Sequence, residues 1–175
     1  MLEEAVNRVV SWGLPVVVSA NNQNVDARCT SPAEIPAAIT VGGTMMNDVS
    51  GQTVDTRWLN TANPTWRGIP PTNLDPGSNW GPAIDIFAPA HEIRSAHITS
   101  TTAERLTNRS GTSFAAPHVS GEIARYLQGK GKSTYNPIGA LAYLLSIAKS
   151  GVIETTPDIP MNGSTNTLMQ SRYTP

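Results

Sequence analysis

The residues with the clearest chemical content form the run Gly111-Thr112-Ser113-Phe114-Ala115-Ala116-Pro117-His118-Val119-Ser120-Gly121. Small and then apolar residues follow Ser113 at helical spacing: Ala115, Ala116, Val119, Ile123, Ala124 and Leu127. The spacing predicts a helix with Ser113 at its N-terminus. N–H groups in a first helical turn lack intrahelical acceptors, and the helix dipole favours negative charge there. A hydroxyl held at such a place can attack a carbonyl while a neighbouring N–H holds the oxyanion that forms. The same pattern also serves as an ordinary Ser/Thr helix cap. The serine-hydrolase signature G-x-S-x-G is not met, because Ala115 stands at its last glycine.

This run resembles the nucleophile motif of the subtilases, the subtilisin- and proteinase K-like serine proteases. Their usual form is Gly-Thr-Ser-Met-Ala-(Ala/Thr)-Pro-His-Val-(Ala/Ser)-Gly, and Phe114 is the one departure from it here. The resemblance implies that Ser113 is the nucleophile of a serine endopeptidase acting on peptide or protein substrates. Val18-Ser19-Ala20-Asn21-Asn22 is similar to the family's Ala-Ala-Gly-Asn at a strand end. That likeness implies that Asn22 donates the second oxyanion hydrogen bond and that Ser19, Ala20 and Asn21 border the substrate. Asn21 stands where the family has glycine, so its side chain could narrow the pocket for the residue before the cleaved bond. From residue types alone, Asn21-Asn22-Gln23-Asn24 also reads as a plain Asx-rich turn.

Two further segments carry the resemblance. Asp26 to Ala33 and Pro36 to Gly43 are similar to the proteinase K branch, and Asn79 to Ala90 resembles the family's Asn-Tyr-Gly…Leu-Asp-Ile-Phe-Ala-Pro-Gly, with Ala90 in place of glycine. In proteinase K-like members the aspartate matching Asp85 binds calcium with the backbone carbonyls at the positions of Pro36 and Ala38. A structural calcium is therefore implied, while the acyl-transfer chemistry itself needs no cofactor. One carboxylate with carbonyl oxygens suits that hard cation. A hydrogen-bonded strand aspartate is the other reading of Asp85.

The elements that must position these residues follow from apolar periodicity. Leu2, Ala5, Val6, Val9 and Val10 predict an amphipathic helix ended by Gly13. Leu14 to Ala20 reads as a strand buried on both faces, as in a parallel sheet. A helix feeding a parallel strand is the second half of a βαβ unit, which places the start of this chain in the middle of a domain. Pro36 to Gly43 reads as a second short buried strand, Ile84, Ile86 and Phe87 suit another, and Ile93 to Ser100 with Glu104 to Arg109 read as short strands leading into the serine motif. Asn136-Pro137 caps a last helix with an apolar face of Ile138, Leu141, Leu144, Leu145 and Ala148, ended by Gly151. The expected fold is α/β, a partial subtilisin-like three-layer domain with a mostly parallel sheet and its N-terminal half absent. Residues 1–154 form that portion, about 47–79 being an insertion without persistent period, and 155–175 a polar, irregular tail.

Composition narrows the remaining classes. The chain of 175 residues has a net charge of −1 and 14% charged residues, which gives no electrostatic footprint for nucleic acid or an anionic membrane. No apolar run is long enough to cross a bilayer. The single Cys29 cannot form an internal disulfide and reads as a buried small hydrophobe or as the partner of a cysteine on another chain.

A serine nucleophile needs a base, and the base an orienting carboxylate. Among the three histidines, His118 lies five positions after Ser113, on the far side of a helix, and reads as a buried motif residue. His91 and His97 lie in no His-Gly-Thr-His setting, and no aspartate lies in an Asp-(Ser/Thr)-Gly setting. The expectation is a protease segment that holds nucleophile and oxyanion donor but is inactive alone. It is an incomplete copy of a longer protease, pairs with a separate N-terminal protease segment, or is a non-catalytic peptide-binding or structural remnant. Secretion is implied by the resemblance only.

Overall fold

The computed structural model describes residues 1–46, 53–55, 77–96, 106–131, 134–154 and 161–171. Helix α1 spans Leu2–Ser11, with Glu3 and Glu4 in its first turn, where acidic side chains complement the dipole. Gly13 follows at φ 86°, a left-handed stop that suits glycine. The chain then enters β1 (Val17–Ser19) and, after a 3₁₀ turn at Ala27–Cys29, β2 (Ile39–Met46). Strands β3 (Thr53–Asp55), β4 (Ile86–Pro89), β5 (Ile93–Ala96) and β6 (Leu106–Arg109) precede helices α2 (Thr112–Leu127) and α3 (Pro137–Ile147). Short strands β7 (Lys149–Ser150), β8 (Ile153–Glu154) and β9 (Thr167–Leu168) complete the described residues.

The main sheet runs β7-β9-β4-β2-β3-β8, with β1 beside the first half of β2. β1 pairs parallel with β2, β2 with β4, β4 with β9 and β3 with β8, while β2·β3 and β7·β9 are antiparallel. β5 and β6 form a separate antiparallel hairpin that delivers the chain to α2. The sheet is thus mostly parallel and the fold is α/β, as the periodicity predicts.

Alternation along the strands separates two covered faces. Ile39, Val41, Ile86 and Ala88 pack with Ala115, Val119 and Ile123 of α2 and with Ala140 and Leu144 of α3. On the opposite face, Phe87 joins Ala20, Ala27, Ala33 and Ile84, while Val6 of α1 packs with Ile35, Ala38, Val16 and Val18. Helices on both faces make three layers. Gly42 pairs with Phe87 across β2 and β4, and a Cβ on Gly42 would overlap the Phe87 ring. The ring is fully buried and has nowhere to move, so the position is reserved for glycine.

Several expectations are corrected. β1 is half-buried rather than buried on both faces, and Leu14 is 42% exposed. The physical reason is that β1 has one strand neighbour, β2, among the described residues. α3 buries Ala140 and Leu144, whereas Ile138 and Leu145 face solvent, because only one stripe of this uniformly apolar helix meets α2 and the sheet. It ends at Ile147, not at Gly151, which turns the chain between β7 and β8 at φ 72°. Ala124 of α2 is exposed, as is Cys29 at the end of the 3₁₀ turn.

Residues 161–171, within the stretch read as an irregular tail, instead return to the sheet. β9 pairs with β4, and the Met169 N–H donates to Phe87 O at 2.8 Å. One apolar residue, Leu168, suffices in β9 because backbone hydrogen bonds rather than an apolar run hold the strand. Of the stretch read as an insertion, 53–55 form β3 and Ser78 and Asn79 are fully buried. Residues 47–52 and 56–76 lie outside the described residues, as do 97–100 and 104–105 of the two strands expected before the serine motif.

Candidate active site

Gly111 is the N-cap of α2 at φ 135°, a conformation that a side chain would strain, and it places Ser113 in the first helical turn. Ser113 is exposed. Neither its hydroxyl nor its N–H makes a hydrogen bond among the described residues. The cap is held from two sides. The Gly111 N–H donates to Ala90 O at 2.8 Å, and Ser110 Oγ accepts from the Glu92 N–H at 3.0 Å and bonds His91 Nδ1 at 2.9 Å. Thr112 is fully buried, and its Oγ1 has no partner among the described residues.

Asn22 reaches the same helix end from the sheet. Its Oδ1 accepts a hydrogen bond from the Thr112 N–H at 2.8 Å. This takes the role of a capping oxygen for α2, supplied from ninety residues away in sequence rather than by the cap residue itself. Because Oδ1 is the atom so engaged, Nδ2 is left as a donor, and it lies 3.5 Å from where a Gly111 Cβ would be. It has no acceptor among the described residues. Two unspent N–H donors, Ser113 N and Asn22 Nδ2, thus stand beside an exposed hydroxyl at the positive end of a helix. Such a cluster can stabilise negative charge on an oxygen bonded to a carbon that the hydroxyl has attacked.

The loop carrying Asn22 is braced. Ser19 ends β1, and the Ala20 N–H donates to Val41 O at 2.9 Å. Asn21 has φ 72°, which asparagine tolerates better than most residues, so the backbone turn otherwise made by glycine is kept. Its Nδ2 donates to Ser31 O at 3.2 Å. Fully buried Asn79 locks the loop from below. Its Oδ1 accepts from Gln23 N at 2.9 Å and Val25 N at 3.2 Å, and its Nδ2 donates to Thr30 Oγ1 at 3.0 Å. Nothing local in the sequence singles out Asn79 for this role.

No base meets Ser113 among the described residues. His118, expected to be buried, is exposed on α2 with Nδ1 2.7 Å from Phe114 O, one helical turn back. His91 is engaged with Ser110, and His97 lies outside the described residues.

Pro36, Ala38 and Asp85 line one cavity of about 340 Å³, which Glu34, Thr40 and Arg28 share. Asp85 Oδ2 accepts from Thr40 N at 2.8 Å, which is the strand hydrogen bond that the sequence left open as its other reading. Burial pushes the Asp85 carboxyl above its ordinary value, only partly offset by the Thr40 hydrogen bond. Arg28 is not its counter-ion, because its guanidinium is paired with Asp26 at 2.6 Å. That pairing also holds the Asp26 carboxyl below its ordinary value. A half-buried carboxylate without a paired cation among the described residues, beside carbonyl-bearing turns, fits an oxygen-liganded cation. Among the described residues no group of three or more acidic, His or Cys side chains is arranged to hold a metal, so the backbone would have to supply most ligands.

The family model described as "Subtilase family" matches residues 1–166. The chain belongs to the subtilase family. As a subtilase it is 37% identical over 153 residues to an extracellular serine proteinase of Thermus sp. (strain Rt41A), covering 87% of this chain and 30% of that one. It is 36% identical over 156 residues to alkaline protease 1 of Aspergillus clavatus, covering 89% and 32%. A crystal structure of a cold adapted subtilisin-like serine proteinase superposes with TM-score 0.72 at 30% identity, covering 99% of this chain and 50% of that one. This subtilase chain therefore spans about a third of the length of these relatives and half of the solved structure. No described helix is long and apolar enough to cross a membrane.

Proposed function

We propose that residues 1–175 hold the nucleophile side of a serine endopeptidase site. The observation that carries this reading is the bond between Thr112 N and Asn22 Oδ1, which fixes one amide beside Ser113. Ser113 Oγ forms a bond to the scissile carbonyl carbon, and the carbonyl π pair moves onto oxygen. Ser113 N–H and Asn22 Nδ2 hold that oxyanion. Its collapse expels the peptide nitrogen, which leaves as the amine after taking a proton, and an acyl-serine remains. Ser19, Ala20 and Asn21 border the substrate.

The hydroxyl proton needs an acceptor, and none of the described residues offers one to Ser113. The isolated chain therefore binds peptides but turns over negligibly. The same absence favours the second reading, a peptide-binding remnant without catalysis. The partner we propose is a polypeptide segment that carries the aspartate and histidine and packs along the side of β1 away from β2, which has no strand neighbour among the described residues. Secretion is proposed by extension from the Thermus relative, which is named extracellular.

A fluorophosphonate probe on the purified chain tests the assignment. The expected result is slow labelling that vanishes in Ser113→Ala. Rapid, stoichiometric labelling of Ser113 would contradict the absence of an activated nucleophile, and slow labelling at another serine would contradict the site.

Calcium would be held by Asp85 with the carbonyls of Pro36 and Ala38, bracing the turn before β2 against the start of β4. The expected outcome is a metal-dependent rise in melting temperature that Asp85→Ala abolishes. At free calcium of about 100 times Kd the stabilisation is about 2.7 kcal/mol. The pH dependence has a definite sign. Without metal, a folded-state carboxyl raised above its unfolded value costs stability when ionised, and the cost is relieved as pH falls through the folded value. Calcium binds the ionised form, so the calcium-induced rise should fade over that same acid window. A rise that persists unchanged in Asp85→Ala would retire the site.

A further inference from the structure

Asn22 is held at two points. Its side chain is fixed by the Thr112 N–H, bonded to Oδ1 at 2.8 Å. Its backbone is fixed by Asn79, which bonds the residues on either side of it. The Asn79 N–H donates to Asn21 O at 2.9 Å, and Asn79 Oδ1 accepts from Gln23 N at 2.9 Å and Val25 N at 3.2 Å. The loop cannot hold itself by burial, because Gln23, Asn24 and Val25 are exposed. Asn79 is fully buried, and its Nδ2 donates to Thr30 Oγ1 at 3.0 Å. Its own segment is anchored to the sheet. Ser78 Oγ accepts from the Gly43 N–H of β2 at 3.1 Å and donates to Asn79 O at 2.8 Å. Hydrogen bonds from Asn24 N to Gly77 O and from Trp80 N to Val25 O extend the same contact.

We infer that Asn79 is a positioning residue for the oxyanion amide, acting through Asn22 and touching no reacting atom. With the backbone pinned before and after Asn22, and Oδ1 pinned by α2, the Asn22 amide keeps one orientation. Removing the Asn79 side chain strips the acceptor from Gln23 N and Val25 N, and the exposed loop is then free to bend toward solvent. A displacement of about 1 Å at a reacting centre can cost about 100-fold. This inference rests on the proposed function and assigns the support of that same site.

A double-mutant cycle between Asn79 and Asn22, read with an alanine peptide boronate on the 175-residue chain, tests it. Boron accepts the serine oxygen at equilibrium, so affinity can be read without turnover. Asn79→Ala should weaken boronate binding by about 10- to 100-fold where Asn22 is present. In the Asn22→Ala background it should change nothing, since no amide is left to position. A merely structural role would lower the melting temperature in both backgrounds but would not split the affinities. Thr30→Val, which removes the acceptor of Asn79 Nδ2, is the milder variant and should show the same split at smaller size. Amide hydrogen exchange at Thr112 reads the link without a ligand, and Asn79→Ala should speed it relative to the amides of α3. Equal affinity loss in both backgrounds, no loss in either variant with the boronate still bound, or unchanged Thr112 exchange would overturn this inference alone. Failure of wild type to bind the boronate would overturn the proposed function with it.

Discussion

Asn22→Asp should weaken the binding of an alanine peptide boronate by about 100- to 1,000-fold while leaving the chain folded. The size is that known for loss of an oxyanion-hole amide in subtilisin, itself a subtilase, and is borrowed from that relative rather than derived from this geometry. The aspartate keeps an oxygen for the Thr112 N–H, now bonded at 2.8 Å, so the helix end stays capped. It replaces the Nδ2 donor by negative charge at the place where an oxyanion forms. Asn22→Ala separates the two roles. It removes the cap as well, at a cost of about 1 kcal/mol of stability. Boronate affinity by fluorescence titration, alongside a thermal melt of each variant, distinguishes the functional loss from the structural one. Equal affinity of wild type and Asn22→Asp would remove the amide from the proposed site.

The second large effect falls on stability. Glu122 of α2 is 4% exposed, accepts from Tyr143 Oη at 2.7 Å and Ser171 Oγ at 3.1 Å, and meets Arg125 Nε at 3.2 Å. It therefore ties the helix that bears Ser113 to α3 and to the segment after β9. Stacking of Tyr126 on Tyr143, with ring centroids 4.4 Å apart, reinforces the same junction. Arg125 is 44% exposed, so its ion pair is screened and contributes little. The two neutral hydrogen bonds to a buried carboxylate carry the effect, and Glu122→Ala should cost about 2–3 kcal/mol. For a chain of this size that is a fall in melting temperature of about 4–12 °C. Glu122→Gln keeps an acceptor for Tyr143 and should lose less. A melting temperature unchanged in Glu122→Ala, measured by circular dichroism, would show that the junction is not needed.

How far these features could be read in the sequence depended on whether their causes were local. The α2 helix and its serine were legible because a small-residue run, a capping glycine and an apolar stripe all lie within one short stretch. α1, β2 and the Asn136-Pro137 helix start were legible for the same reason, and Asn136 Oδ1 does accept from Ile138 N at 3.0 Å. Asn22 emerged through the resemblance, since its turn alone looks like any Asx-rich loop. The loop frame did not emerge, because Asn79 acts on residues more than fifty positions earlier in the chain. Glu122 was hidden in a helix whose apolar pattern favoured its neighbours, and its acceptor role depends on Tyr143 and Ser171 from two other segments. β9 escaped because two residues paired by backbone bonds carry no period. Burial was misjudged at β1, Leu14, Ile138 and His118, all more exposed than their patterns suggest, because apolar period marks a face but not how much of it a neighbour covers.

A crystal structure of the 175-residue chain with an alanine peptide boronate reads the decisive contact directly. Boron bonded to Ser113 Oγ, with a boronate oxygen within hydrogen-bonding reach of both Asn22 Nδ2 and the Ser113 N–H, is the predicted result. Boron on another side chain, or its oxygens turned away from Asn22, would contradict the account.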